Sequence, residues 1–266
     1  MPKDILSAQG IEGLLCENLK EKIKIDIRET VGSTNDELKA LARDGAKEGY
    51  LLISEHQTAG KGRIGRSFFS PDGTGIYMSL LLKPELSPEK STLVTSAAAV
   101  AMCRAIEKID GENPSIKWVN DIFCKGEKVC GILTEGSFTS QEKLDYAIVG
   151  VGVNLYTPRN GFPTELEGVA GAVLDKVSEG KKNTLVSEFI NEFFRLYDRL
   201  SEAVHMDEYR KRCFVLGKEI FILGHEEKIP AKAISIDDNC NLVARLENGE
   251  LVTLGTGEIS VRLVHL

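Results

Sequence analysis

Three cationic side chains alternate with glycines in one short segment of the sequence. Residues 60–66 read Gly-Lys-Gly-Arg-Ile-Gly-Arg, with the cations at Lys61, Arg63 and Arg66. Glycine lets a backbone approach a ligand closely and present its amides to an anion. Arginine binds a phosphate or a carboxylate through two parallel hydrogen bonds. The segment therefore predicts a loop that binds an anionic ligand, and the alternative is a solvated basic turn.

The same segment matches the glycine pattern G-x-G-x-x-G of a dinucleotide-binding fingerprint. That motif opens a helix and is followed, about 20 residues on, by an acidic residue at the end of a second strand. Here Pro71 and Gly73 stand where the helix would run, and the next apolar strand ends in Lys83-Pro84. Because proline breaks a helix interior, the dinucleotide interpretation is rejected.

Three further clusters combine polar groups with apolar runs. Lys117-Trp118-Val119-Asn120-Asp121 places a cation, an amide and a carboxylate in a stretch that otherwise has the pattern of a buried strand. Buried charges need a partner or a ligand. Lys128 precedes another apolar run, and a lysine there also fits the solvated end of a strand. The longest apolar strand holds Gly150 and Gly152 and ends at Asn154; glycine inside a strand indicates close approach by a ligand or another backbone.

The periodicity of the apolar residues predicts the elements that hold these clusters. Helices are predicted within the first 24 residues, after a capping box of Thr34 with Glu37, from Ser87 to Gly111, and after a cap at Asn183 or Thr184. Strands are predicted at residues 50–54, 76–82, 116–118, 122–124, 129–134 and 147–153.

The pattern changes near Leu216. From there to the end of the sequence, short apolar segments alternate with turn residues, and Asn248-Gly249 is typical of a hairpin. Five short strands in this stretch favour a small barrel. The predicted fold class is therefore α+β, with a peripheral segment at 1–24, a mixed domain at 25–212 and a β-barrel module at 213–266.

Composition narrows the class of protein. The 266 residues are 42% hydrophobic and 27% charged, which is ordinary for a globular protein. No apolar run approaches the roughly 20 residues of a membrane helix, and the first residues lack the order of a secretory signal, so we expect a cytoplasmic protein. Six cysteines without a C-x-x-C pair favour reduced core thiols. A net charge of −7 argues against a nucleic-acid partner.

Taken in order, the motifs resemble those of biotin protein ligases over residues 25–266. The matching segments are Ser33-Thr34-Asn35, Glu55 to Arg66, Lys117 to Asp121, Lys128 with Gly131-Ile132-Leu133, Gly150 to Asn154, and Gly257-Glu258-Ile259-Ser260. The resemblance implies a catalytic domain related to class II aminoacyl-tRNA synthetases, followed by an SH3-like barrel. It implies that biotin reacts with ATP, which carries Mg²⁺, to give biotinyl-5′-AMP and pyrophosphate. A lysine of a biotin carboxyl carrier protein then accepts the biotinyl group.

The resemblance also implies roles for individual residues. Biotin would be bound by Ser33, Thr34, Asn35, Gln57, Gly60, Lys61, Gly62, Arg63, Lys128, Gly131, Gly150 and Gly152. ATP would be bound by Arg63, Arg66, Trp118, Asn120, Lys128 and Asn154, with Mg²⁺ carried by ATP and not held in a protein cage. Arg63 and Lys128 would act on the reacting groups, and Asp121 would orient or deprotonate the incoming lysine.

The sequence departs from the family pattern at three positions in these motifs. Lys61 replaces the usual arginine, Phe68 a common tryptophan, and Val119 the usual proline. The change at Lys61 turns a bidentate contact into a point charge. Too few residues precede Ser33 for the DNA-binding domain of the repressor-type members, so we expect a ligase without repressor activity and without a membrane partner.

Two alternative functions stay open. A lipoate protein ligase would share the fold and the adenylation step, although the glycine–arginine loop and the segment 257–260 favour biotin. A non-catalytic nucleic-acid module would use the small barrel and the basic loop as its surface, against which the acidic composition counts. Homodimers occur in the resembled family, and no residue decides between a monomer and a homodimer.

Overall fold

The computed structural model describes residues 4–138, 144–223, 228–255 and 260–263. The helices of this described part are Ala8–Glu12 (α1), Glu17–Lys20 (α2), Thr34–Arg43 (α3), Thr92–Asp110 (α4), Lys181–Tyr197 (α5) and Met206–Arg212 (α6). Its strands are Lys24–Val31 (β1), Tyr50–Gln57 (β2), Gly75–Leu82 (β3), Ser115–Lys117 (β4), Asp121–Cys124 (β5), Glu127–Phe138 (β6), Leu144–Asn154 (β7), Glu219–Leu223 (β8), Lys228–Ile236 (β9), Leu242–Leu246 (β10), Leu251–Leu254 (β11) and Ser260–Leu263 (β12).

The larger sheet has seven strands in the order β1-β2-β3-β7-β6-β5-β4. Only β1 and β2 pair in parallel, and the other neighbours are antiparallel. Alternate residues of a strand point to opposite faces. Leu52 and Leu81 accordingly pack with α3 on one face, whereas Leu51 and Leu80 join the main core with α4 and α5 on the other. Since both faces are covered, the apolar run 147–153 is buried, as predicted.

The smaller sheet has five antiparallel strands in the order β11-β10-β9-β8-β12. The predicted hairpin is confirmed, because β10 and β11 are joined at Asn248-Gly249 and Gly249 has φ of 89°. A positive φ is accessible to glycine without steric cost. The chain is therefore an α+β protein with a mixed sheet followed by a small antiparallel sheet. The predicted motif at 257–260 lies mostly outside the described residues.

The prediction of one peripheral helix before residue 24 was wrong. Two short helices form instead, and Ile11, Leu15 and Leu19 are buried in the main core. The carboxylate of Asp4 accepts hydrogen bonds from the backbone amide of Lys182 at 2.8 Å and from the hydroxyl of Tyr156 at 2.7 Å. The apolar spacing gave no hint of these polar contacts, which hold the segment against α5.

The long helix predicted from Ser87 begins only at Thr92, because residues 88–90 form a separate 3-10 helix. Two predicted helix caps were also wrong. Ser33, not Thr34, is the N-cap of α3, and the predicted capping-box residue Glu37 accepts a hydrogen bond from Arg28 at 2.8 Å. The N-cap of α5 is Gly180, and Asn183 bonds Ser7 and Ile5 of the N-terminal segment. In both cases a long-range partner takes the side chain that a local rule assigned to a cap.

Sequence analysis missed strand β1 and helix α6. Helix α6 is rich in charged residues and shows no clear apolar period. In β1, Ile25 and Ile27 do alternate with charged residues, a short strand pattern that was not used. All six cysteines are free, and five of them are buried. None of the described helices combines the length and apolar composition that a bilayer crossing would require.

We predict that the free energy of unfolding falls as the pH is lowered from 6.5 towards 4, because of His205. Its Nε2 lies 2.7 Å from Ser96 Oγ, and its Nδ1 has no hydrogen-bond partner. Burial, together with the charge of Arg104, lowers the pKa of His205 to about 4, although Glu208 opposes this. The unfolded chain therefore takes up a proton first as the pH falls, which favours unfolding by up to about 3 kcal/mol.

Urea unfolding at several pH values would measure this effect. In His205→Gln the loss of stability between pH 6.5 and 4 should be smaller by that amount, whatever the variant's stability at pH 7. Equal pH slopes for the two proteins would contradict the assignment.

Candidate active site

A cavity of about 570 Å³ lies against the larger sheet on the side of α3. Of the residues predicted to form a site, the structure brings the following to its lining: Ser33, Thr34, Asn35, Gln57, Lys61, Gly62, Arg63, Arg66, Trp118, Asn120, Asp121, Lys128, Gly131, Gly150, Gly152 and Asn154. Gly60 lies at the base of the loop, where its carbonyl accepts a hydrogen bond from the amide of Phe68 at 2.9 Å. Five separate segments of the chain thus converge on one space.

The side chains that line one end of the cavity are uncharged and densely hydrogen-bonded, although Asn35 Nδ2 also donates to the carboxylate of Glu135 at 2.7 Å. The amide and hydroxyl of Thr34 donate to Gln57 Oε1 at 2.9 and 3.1 Å, and Gln57 Nε2 donates to Ser70 Oγ at 3.0 Å. Ser79 Oγ lies 2.6 Å from Asn35 Oδ1. These bonds orient the first turn of α3 against strands β2 and β3. This end can therefore offer fixed donors and acceptors to a polar but neutral group.

The floor of the cavity is made by glycines in register on adjacent strands. Gly131 of β6 faces Gly152 of β7, and the row continues to Asp121 of β5. A Cβ atom at Gly152 would lie 2.6 Å from the ring of Phe68. At Gly150 it would lie 2.1 Å from Asn35 Oδ1. Glycine is needed here because the loop and the start of α3 approach the sheet more closely than a side chain would allow.

The glycine–arginine loop folds over this floor. The amide of Gly62 donates to the carbonyl of Arg66 at 2.7 Å, and Ile64 has φ of 54°. Lys61 Nζ lies 2.6 Å from Asp36 Oδ1, and this ion pair raises the pKa of Lys61. Both side chains are nearly half exposed, so the pair contributes little to stability. A loop held by contacts of this strength can open to admit a ligand.

Two cations line the cavity next to one another's partners, Asn120 and Asp121. Arg63 Nη1 donates to Asn120 Oδ1 at 3.2 Å, and burial lowers the pKa of Arg63 although the charge of Asp121 raises it. Lys128 Nζ lies 2.7 Å from Asp121 Oδ1. An arginine keeps its charge in proteins. The cavity therefore holds positive charge next to its neutral end, as a site for a carboxylate or a phosphate requires.

Two residues predicted to bind ATP, Trp118 and Asn154, form hydrogen bonds within the protein. The indole Nε1 of Trp118 donates to the carbonyl of Cys240 at 2.9 Å, which ties this ring to the smaller sheet. Asn154 Nδ2 donates to the carbonyl of Gly171 at 3.1 Å. Both residues line the cavity, but these bonds orient their polar atoms towards protein groups in the structure described. Their roles in nucleotide binding stay predictions.

Sequence analysis missed several residues of the site. Ser79 and Asp36 bond predicted site residues, and Phe123, Phe162 and Leu223 contribute apolar walls. Leu223 comes from the smaller sheet, which no local pattern connects with the loop. Ser79 is paired with Gly150 across β3 and β7, so only the register of those strands could have identified it.

The described residues contain no group of three or more His, Cys, Asp and Glu side chains that could hold a metal ion. The fold and the cavity together define a protein that encloses a ligand with a polar, neutral end and an anionic end. Such a ligand would be held between a glycine-lined sheet and a closing cationic loop.

Comparison with known proteins identifies this class. A family model described as the Biotin/lipoate A/B protein ligase family matches residues 28–154, and one described as the Biotin protein ligase C terminal domain matches residues 215–262. Since the two models together match more than half of the chain, the chain belongs to the biotin protein ligase family.

Individual relatives agree with this assignment. The bifunctional ligase/repressor of Bacillus subtilis is 37% identical over 151 residues, covering 57% of this chain and 46% of that protein. The biotin--[acetyl-CoA-carboxylase] ligase of Mycobacterium tuberculosis is 28% identical over 252 residues, covering 91% of this chain and 89% of that protein. The structure of biotin protein ligase from Aquifex aeolicus in complex with biotin and ATP has a TM-score of 0.71 and 25% identity, covering 90% of this chain and 99% of that chain. The match spans less than half of the Bacillus protein.

We predict that Gly150→Ala destabilises the protein because the new methyl group would displace Asn35. The cost should be of the order of 1–3 kcal/mol, as for other overpacked interiors. Urea unfolding would measure it. Gly32→Ala is the matched control, because a Cβ atom there meets nothing within 4 Å. Equal stabilities for the two variants would show that α3 does not press on the sheet at this point.

Proposed function

We propose that this protein is an ATP-dependent ligase that activates biotin as biotinyl-5′-AMP and transfers the biotinyl group to a lysine of a biotin carboxyl carrier protein. The observation that carries the proposal is the junction of a neutral, hydrogen-bonding end with Arg63 and Lys128 in one cavity. Biotin has a neutral ureido ring at one end and a carboxylate at the other. The biotin and ATP in the related Aquifex structure support the same choice of ligands.

In the first step a biotin carboxylate oxygen forms a bond to the α-phosphorus of ATP. The bond from that phosphorus to the bridging oxygen breaks, and pyrophosphate leaves with its electron pair. Negative charge on the α-phosphoryl group grows in the transition state. Arg63 and Lys128 both line the cavity and would stabilise this charge, with a loss of about 3 kcal/mol for each such donor removed.

The ion pair of Lys128 with Asp121 suggests how the two steps follow one another. Before a ligand binds, Asp121 neutralises Lys128 at 2.7 Å. When Lys128 turns to the acyl phosphate, Asp121 becomes free to accept a hydrogen bond from the incoming lysine. The nitrogen of that lysine then forms an amide with the acyl carbon, AMP leaves, and the nitrogen loses a proton.

Mg²⁺ is proposed to enter with ATP. Asp121 and Asn154 carry oxygen atoms of the kind that Mg²⁺ binds, and Mg²⁺ usually combines few protein ligands with substrate phosphates. When bound, Mg²⁺ supplies positive charge to the phosphate oxygens and the departing pyrophosphate.

The finer assignments of fold and partner are also proposals. We propose a relationship of the larger sheet to class II aminoacyl-tRNA synthetases, an SH3-like barrel for the smaller one, and boundaries near residues 25 and 213. For the carrier, we propose the edge of β6 beyond Gly131, where β5 no longer pairs with it. The same edge would serve a homodimer. The absence of repressor activity stays a prediction.

Analysis of acyl-AMP by mass spectrometry would test the choice of substrate. The protein, incubated with Mg²⁺ and ATP, should form biotinyl-AMP from biotin and release one pyrophosphate for each adenylate. It should form no lipoyl-AMP from lipoate. Preference for lipoate would favour the lipoate ligase instead, and the absence of both products would refute an adenylating enzyme.

We predict that Lys128→Gln slows biotin-dependent pyrophosphate release by about a hundredfold, as expected for one lost electrostatic donor. Lys125→Gln is the matched control, since Lys125 lies on the same hairpin, is 56% exposed and pairs with Glu112 outside the cavity. It should leave the rate unchanged. Equal rates for the two variants would remove Lys128 from the mechanism.

A further inference from the structure

The turn at residues 118–120, which carries Asn120 and leads into Asp121 of β5, lies at the edge of the larger sheet. It joins β4 to β5, and β4 is the last strand in the order. No further strand of that sheet lies beyond β4 among the described residues. On the inner side, the amide of Ile132 in β6 donates to the carbonyl of Asn120 at 3.0 Å. Since Asn120 bonds Arg63 and Asp121 bonds Lys128, the position of this turn sets the position of both cations.

Helix α6 and the smaller sheet hold the turn from outside. The hydroxyl of Tyr209 donates to the carbonyl of Val119 at 2.9 Å. The amide of Phe214 donates to the carbonyl of Ile116 at 3.1 Å, and Trp118 donates to Cys240 as described above. Of these three bonds, the one from Tyr209 acts closest to Asn120. Its acceptor, the carbonyl of Val119, belongs to the peptide that joins Val119 to Asn120.

The surroundings of Tyr209 make this hydrogen bond important. Tyr209 is fully buried and Val119 is 1% exposed, so water cannot replace a lost donor. Burial also raises the pKa of Tyr209, so its hydroxyl stays protonated and remains a donor. A buried carbonyl without a partner is costly, and a short turn at a sheet edge can shift to reach another donor.

A shift of this turn would reach the loop through Asn120. Asn120 Nδ2 donates to the carbonyl of Ile132 at 2.7 Å, while its Oδ1 accepts from Arg63. The amide thus connects the sheet with the closing loop. Moving the peptide before Asn120 would lengthen one of these two bonds or both.

We infer that Tyr209 is a positioning residue for the adenylation step: by holding the carbonyl of Val119, it keeps Asn120 in place to retain Arg63 and the loop over the cavity. The part of the inference that concerns adenylation rests on the proposed function. The part that concerns the loop does not, because it follows from contacts of the protein alone.

Trypsin tests the loop directly, since Lys61, Arg63 and Arg66 are all cleavage sites. In ligand-free Tyr209→Phe, fragments that end at these residues should appear about ten times faster than in the wild type, the factor for one lost hydrogen bond. Tyr156→Phe is the matched control, because it also removes a buried tyrosine hydroxyl, bonded to Asp4 on another part of the fold. It should leave cleavage of the loop unchanged.

Asn120→Ser gives a second test. It should expose the loop as Tyr209→Phe does, and the double variant should add little to Asn120→Ser, because the two act in series. Equal loop cleavage in Tyr209→Phe and Tyr156→Phe, with equal losses of melting temperature, would overturn the inference. So would independent, multiplying effects of Tyr209→Phe and Asn120→Ser. If Tyr209→Phe does not fold, an unchanged loop in Asn120→Ser would also overturn it.

The catalytic consequence is a selective loss of kcat. In Tyr209→Phe, kcat for biotin-dependent pyrophosphate release should fall about tenfold. KM for biotin should stay near the wild-type value, because the neutral end of the cavity is not touched. A rise in KM with unchanged kcat would contradict this role. A wild-type protein that releases no pyrophosphate would instead refute the proposed function and leave the loop result standing.

Discussion

The site depends on a close approach of two segments to the larger sheet: the first turn of α3 and the loop at residues 60–66. Elsewhere both faces of this sheet are packed. Side chains cover most positions of β6 and β7, but at Gly131, Gly150 and Gly152 there are none. These positions adjoin one another across β6 and β7, so they form a trough and not three separate gaps. The trough gives the cavity its floor, and the polar turn of α3 and the cationic loop then close it from above.

Each of three cations around this trough has a polar partner in the protein. Lys61 pairs with Asp36, Lys128 with Asp121, and Arg63 with the amide oxygen of Asn120. Unpaired charges in a half-buried cavity would be costly. These partners are groups of the protein itself, and an entering anion can take their place at each cation. The arrangement keeps the positive charge in place before the ligand arrives.

Most residues selected from the sequence line one cavity, but their arrangement could not be predicted. Lys128 and the glycines were identifiable because a cation beside apolar strands, or a glycine within one, conflicts with local preference. The pairing of Ser79 with Gly150 was not, because register depends on contacts between distant strands. The caps of α3 and α5 were misassigned for a related reason: Glu37 and Asn183 bond groups outside their own helices, Arg28 of β1 and Ser7 of the N-terminal segment. The charged helix α6 had no apolar period to reveal it.

Helix α6 shows why an element without a sequence signal still matters for the chemistry. Its charged face forms ion pairs, such as that of Arg212 with Glu107, that attach it to α4. Its buried face presents Tyr209 to the turn at the edge of the larger sheet. A helix anchored to the core on one side can hold an edge turn more rigidly than the two short strands beside it. The positions of Arg63 and Lys128 at the cavity therefore depend in part on packing outside the larger sheet.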